Sequence, residues 1–218
     1  MFIQLNGQVL SYEKSGCGRP LILLHGNGED CHIFDELTEN INNNFEVYAI
    51  DSRGHGGSST SSEYHYADMA SDVINFIQAL ELSKPIILGF SDGAIIALMV
   101  AMKCSDMLGG IICCGANLSP KGLIFSARNE IKKMYKESGN PLVKLMIDEP
   151  NISPEDLHAI NVKAIIIAGD KDMIKEKETR LIASNISDSQ LIFLGGQDHS
   201  SYVVHSTMLT DIILQNFL

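Results

Sequence analysis

Positive charge is scarce in this chain: 16 Lys and Arg face 27 Asp and Glu, for a net charge of −11. A surface so acidic repels a phosphate backbone or an anionic membrane, so neither nucleic acid nor a membrane is expected as a partner. No apolar run approaches the ~20 residues that a spanning helix needs. Met1-Phe2-Ile3-Gln4-Leu5-Asn6-Gly7 has no basic region leading into a long apolar stretch, so a cytoplasmic location is expected. Glycine (18) and proline (6) are too few for a collagen-like or low-complexity chain. The five cysteines, Cys17, Cys31, Cys104, Cys113 and Cys114, are odd in number and have no metal-ligand spacing. They are expected to be reduced and buried, with no metal site. His32, His65, His158 and His205 likewise show no ligand pattern and are expected on loops or the surface.

What is present is a single domain's worth of core: 218 residues, 45% of them hydrophobic, with no repeat. Phe2–Leu5 and Val9–Glu13 flank Asn6-Gly7, the strongest short hairpin signal, so two antiparallel strands should open the domain. Six short apolar runs follow, at 20–24, 47–50, 86–88, 110–114, 164–168 and 191–194. Such runs read as parallel strands covered on both faces. Helical spacing marks 66–82, where Met69, Val73, Phe76, Ile77 and Leu80 form one stripe, and also 94–103, 176–186 and 201–217. The alternation predicts an α/β domain with a mainly parallel sheet and helices on both faces. Residues 117–161 interrupt it and read as an insertion over the sheet's carboxyl edge.

Chemistry gathers where the strands end. Gly89-Phe90-Ser91-Asp92-Gly93 follows an apolar strand and runs into an Ala-rich helix, and glycines two before and two after the serine permit a tight strand-to-helix turn. Leu24-His25-Gly26-Asn27-Gly28 ends another strand. The amides of Asn27 and Asp92 are candidate donors to an oxygen that becomes negative during acyl transfer, although a plain turn would also account for the first motif. A serine hydroxyl needs a base, and an imidazole needs a carboxylate to hold its tautomer. His199, in Gly195-Gly196-Gln197-Asp198-His199, is the candidate base. Asp172, in Gly169-Asp170-Lys171-Asp172, is the candidate acid, with Asp170 as its substitute. Asp170 and Asp198 otherwise read as solvated turn residues.

These motifs, together with Asp51-Ser52-Arg53-Gly54-His55-Gly56-Gly57-Ser58, resemble the α/β-hydrolase fold family over nearly the whole chain. The resemblance implies Ser91 as nucleophile, His199 as base, Asp172 as acid and the Asn27 and Asp92 amides as oxyanion hole. It implies a scaffold role for Arg53 and His55. Serine at the nucleophile position disfavours the branches that use aspartate there. Full-sized members carry a larger helical cap, so 117–161 is a reduced lid. The implied activity is hydrolysis of a carboxylic ester of a small or medium-sized molecule through an acyl-enzyme, without a cofactor. A cofactor-free haloperoxidase, a carbon–carbon bond hydrolase and a non-catalytic ligand-binding protein are the competing readings. The elbow, with Gly115-Ala116-Asn117, is similar to the valacyclovir hydrolase branch, which cleaves α-amino acid esters. On that reading Asp92, with Asn117, meets the substrate. Asp92 capping the following helix is the alternative.

Overall fold

The computed structural model describes residues 1–218. Its centre is an eight-stranded sheet formed by β1 (Phe2–Leu5), β2 (Gln8–Gly16), β3 (Arg19–Leu24), β4 (Phe45–Ile50), β5 (Ile86–Phe90), β6 (Gly110–Cys114), β7 (Ala164–Gly169) and β8 (Ser189–Leu194). Its spatial order is β1-β2-β4-β3-β5-β6-β7-β8. The pairs β1–β2 and β2–β4 are antiparallel, and all others are parallel. Asn6 (φ 44°) and Gly7 (φ 88°) make the tight first hairpin, whose left-handed backbone Asn and Gly tolerate best.

The helices are α1 (Asp35–Ile41), α2 (Tyr66–Ala79), α3 (Asp92–Cys104), α4 (Phe125–Ser138), α5 (Pro141–Asp148), α6 (Glu176–Ser184) and α7 (Thr210–Phe217). Successive strand residues point to opposite faces, so Ile22, Leu24 and Ile87 pack under α2, α3 and α6. Leu21, Leu23, Ile86 and Leu88 pack under α1 and α7 on the other side. None of the helices is long and apolar enough to cross a membrane. Strand β3 is flanked by β4 and β5, so the chain's winding reverses at the carboxyl ends of β3 and β5. Crevices for ligands open at such points.

Three expectations are corrected, and one helix is new. The last helix starts at Thr210 rather than Ser201, because Asp198 Oδ1 accepts the amides of Ser200 and Ser201 and His205 turns to φ 48°. Helix α1 has no counterpart in the sequence reading, although it buries Leu37 and Ile41. Strand β8 is a half-buried edge strand, not one covered on both faces. All five cysteines are free, but Cys17 is exposed and Cys104 only half-buried.

Candidate active site

Ser91 sits between β5 and α3 at φ 52°, ψ −113°, a conformation that a residue with a side chain rarely adopts. Close packing enforces it. A Cβ on Gly89 would lie 2.1 Å from the Gly93 carbonyl oxygen, and one on Gly93 would lie 2.1 Å from that of Leu24. The Ser91 amide is tied to Cys114 O at 2.8 Å, so the turn is held from β6 as well.

His199 comes to this turn from the loop after β8. Its Nε2 lies 3.0 Å from Ser91 Oγ, and its Nδ1 lies 2.7 Å from Asp172 Oδ1. Both contacts are hydrogen bonds in the tautomer in which Nδ1–H donates to Asp172 and Nε2 accepts the serine hydroxyl. The Asp172 side chain is 1% exposed and also accepts the Ile174 amide at 2.8 Å. Phe90 packs on the imidazole with ring centroids 5.0 Å apart. Gly115, at φ 67°, leaves the space that the imidazole fills: a Cβ there would lie 2.7 Å from His199 Cε1.

The loop after β3 supplies the other side. Its amides are unequally occupied: Gly26 donates to Glu29 Oε2 at 2.9 Å and Gly28 to His55 Nε2 at 3.0 Å. Those of Asn27 and of Asp92, the first residue of α3, have no acceptor in the protein. Two buried histidines hold this loop. His25 donates from Nδ1 to Gly26 O at 2.7 Å and accepts the Ser52 amide at Nε2, and burial pushes its pKa down to about 4. It is therefore neutral at pH 7. Arg53 makes a paired contact with Asp72 at 2.6 and 2.7 Å, tying the loop after β4 to α2.

The Asp92 carboxylate is buried, and Oδ2 accepts Asn27 Nδ2 at 2.9 Å. No helix amide donates to it, so it does not cap α3. Burial pushes its pKa up, partly offset by hydrogen bonding from Asn27 and Tyr66. No protein cation pairs with it. Asp92 and Asn117 border a cavity of about 30 Å3 together with Ser91 and His199. The Asn117 side chain itself donates to Ser119 O at 2.9 Å.

A larger cleft of about 320 Å3 opens beside Ser91, walled by Phe90, Glu29, Ile131, Met134, Met146 and Met173. Glu29 is absent from the sequence reading. Its carboxyl is pushed up by burial, with the Gly26 amide pulling the other way. Nothing local distinguishes it from a turn acid, since only the fold of the β3 loop turns it inward. His32, His65, His158 and His205 are all exposed. Asp170 Oδ1 accepts the Gly196 amide at the surface.

Comparison with known proteins agrees with this architecture. A family model for the alpha/beta hydrolase fold matches residues 19–140. The human protein serine hydrolase BPHL is 25% identical, covering 92% of this chain and 80% of its own. Proline iminopeptidase PfmaB of Pestalotiopsis fici is 24% identical, covering 93% of each. A thermophilic esterase from Thermogutta terrifontis superposes with a TM-score of 0.81 at 21% identity, over 99% of this chain and 97% of its own. The sheet order, the turn at Ser91 and these matches lead to one conclusion: the chain belongs to the α/β-hydrolase fold family.

Proposed function

We propose that this protein is a serine hydrolase that cleaves a carboxylic ester of a small or medium-sized molecule through an acyl-enzyme. The observation that carries the reading is the hydrogen-bonded row from Ser91 through His199 to Asp172 at a cleft large enough for such a substrate. Ser91 Oγ attacks the ester carbonyl carbon while His199 Nε2 takes its proton, and the carbonyl electron pair moves onto oxygen. The unoccupied amides of Asn27 and Asp92 receive that oxyanion, a contribution of about 3 kcal/mol per donor in comparable sites. The intermediate collapses, the alkoxide leaves with the proton from His199, and the acyl group stays on Ser91. Water, deprotonated by the same imidazole, then releases the acid and restores the serine. Asp172 fixes the tautomer and stabilises the imidazolium in both halves. BPHL, a serine hydrolase by name, and the esterase neighbour support the class of reaction.

A fluorophosphonate probe is expected to label Ser91 in the folded protein and to leave the Ser91→Ala variant unlabelled. A folded native chain that resists the probe overturns the proposal.

A second reading narrows the substrate to α-amino acid esters. Its support is the buried Asp92 carboxylate, which has no protein cation and lies at the cavity beside Ser91, where a substrate ammonium would pair with it. Amino acid ethyl esters should then be preferred over their des-amino analogues, and Asp92→Ala should erase the preference. An unchanged ratio of kcat/KM values removes this reading and leaves the first intact.

A further inference from the structure

The cleft at Ser91 is not the roomiest space in the molecule. A cavity of about 430 Å3 lies within the segment between β6 and β7, walled by the turn Pro120–Gly122, α4 and α5. Its chemistry is opposite to that of the molecule as a whole. In a chain with net charge −11, Lys121, Arg128 and Lys132 converge on this one cavity. The single acid on its wall, Asp148, is already paired with Lys144. On α4 the other ion pair joins Lys133 to Glu137, so the three cavity cations are left without a carboxylate.

Two features make a solvated helix face a poor account of this arrangement. Arg128 and Lys132 stand four residues apart on α4, where like charges repel across one helical turn. Arg128 Nε is buried and has no hydrogen-bond partner, while its guanidinium is braced 5.9 Å from the Phe125 ring centroid. A buried donor left unpaired is destabilising, and native proteins rarely leave one without a reason. An anion in the cavity screens the repulsion, and a turn of the guanidinium toward it would also give the buried Nε–H a partner. Leu123, Ile131, Met146 and Ile147 supply the apolar part of the wall, next to the polar Ser119 and Asn151. Ile131 and Met146 also wall the cleft beside Ser91, so one layer of side chains separates the two spaces.

We propose that this cavity binds the anionic head of a small amphiphilic molecule, a carboxylate or phosphate monoester carried on an apolar stem. The planar guanidinium of Arg128 takes two oxygens of the head, the ammonium groups of Lys121 and Lys132 neutralise it, and the stem lies along Ile131 and Met146. This site is independent of the chemistry at Ser91 and holds whether or not that serine is a nucleophile.

The test is calorimetric titration of the full chain with hexyl phosphate, hexanoate, inorganic phosphate and hexanol. At least one of the two amphiphilic anions is expected to bind tenfold or more tightly than hexanol and than inorganic phosphate, and whichever does so identifies the head group. Arg128→Gln and Lys132→Gln should each weaken that anion about fivefold, and the double variant should reduce it to the level of hexanol. Lys132 is exposed, so its variant carries the test even where the Arg128 variant folds poorly. Equal binding of hexanol and both anions overturns the proposal. So does unchanged anion affinity in the double variant, which would place the anion in the Ser91 cleft instead.

Discussion

The carboxyl edge of the sheet and the segment between β6 and β7 face each other across the same cleft, yet they are held in place very differently. Helix α3, which leaves the edge at Ser91, buries nine of its residues, whereas α4 buries only Ala127. At the edge, backbone approaches so closely that neither Gly89 nor Gly93 has room for a methyl group, and Ser91 is kept in a left-handed conformation. Across the cleft, Phe125 is 71% exposed and Met134 46%. Strained geometry survives only where the surroundings over-determine it. The edge therefore keeps Ser91 and His199 in one closely packed arrangement, while the facing helices can change at little expense to the fold.

The most severe way to break this contrast is to add one methyl group at the edge. Gly115→Ala forces a Cβ to within 2.7 Å of His199 Cε1 and 2.9 Å of Nδ1, at a φ of 67° that already disfavours a side chain. The imidazole must move or rotate away from Ser91. Displacements of about 1 Å in such sites lower rates about 10²-fold, and that loss is expected in kcat on a nitrophenyl ester. The melting temperature should fall by only a few degrees. A variant with native kcat would show that the edge is as forgiving as the segment opposite.

The same contrast explains how far the sequence can be read. Strands β3, β5, β6 and β7 are legible because burial on both faces demands unbroken apolar runs, and the Asn6-Gly7 hairpin because few other pairs adopt its backbone. The placement of Ser91, Asp172 and His199 at strand ends on one edge is legible for a related reason: each follows or precedes glycines that a tight exit requires. The start of α7 is misread because its apolar period continues through Tyr202 and Val203, which are buried without being helical. Helix α1 is short, and its stripe of Leu37 and Ile41 is too brief to register. The scaffold role of His55 follows from the family resemblance and its bond to the Gly28 amide agrees with it, whereas the contributions of Glu29 and His25 are invisible beforehand, since only the folded chain turns Glu29 inward and brings His25 to the loop after β4.

A second difference between the regions lies in pH dependence. The edge holds a buried neutral histidine, whereas the histidine of the facing segment, His158, is exposed. His25 has its pKa lowered from 6.5 to about 4. Between those values the unfolded chain binds the proton and the native chain does not, so native stability rises with pH across that window. The contribution is full above about 6.5, is lost as pH falls toward 4, and amounts to about 3 kcal/mol. Asp92 and Glu29 act in the opposite sense, because their raised pKa values mean that the native state holds protons the unfolded chain has released. Urea unfolding of the native protein and of His25→Gln at pH values from 4 to 7 separates these effects. The variant should be less stable at pH 7 and should show a flatter slope below it. Parallel slopes would remove His25 from the account.

The smallest effect belongs to the facing segment, and its smallness is what sharpens the comparison. Met134 reaches the cleft from α4 while remaining 46% exposed, so little of its surface is committed to the fold. Substitution at such a position is expected to leave stability within about 0.5 kcal/mol. A substrate with an apolar group in the cleft covers the rest of that side chain, and losing this contact in Met134→Ala should cost about 1 kcal/mol of binding, or roughly a fivefold rise in KM. In the proposed mechanism the reacting groups, Ser91 and His199, sit on the other wall, so kcat should not change. Steady-state kinetics on a series of acyl nitrophenyl esters resolves the two parameters, and the KM effect should grow with chain length if α4 grips the substrate. A fall in kcat at constant KM would mean that α4 positions the reacting groups as well, and the division of labour between the two walls would have to be abandoned.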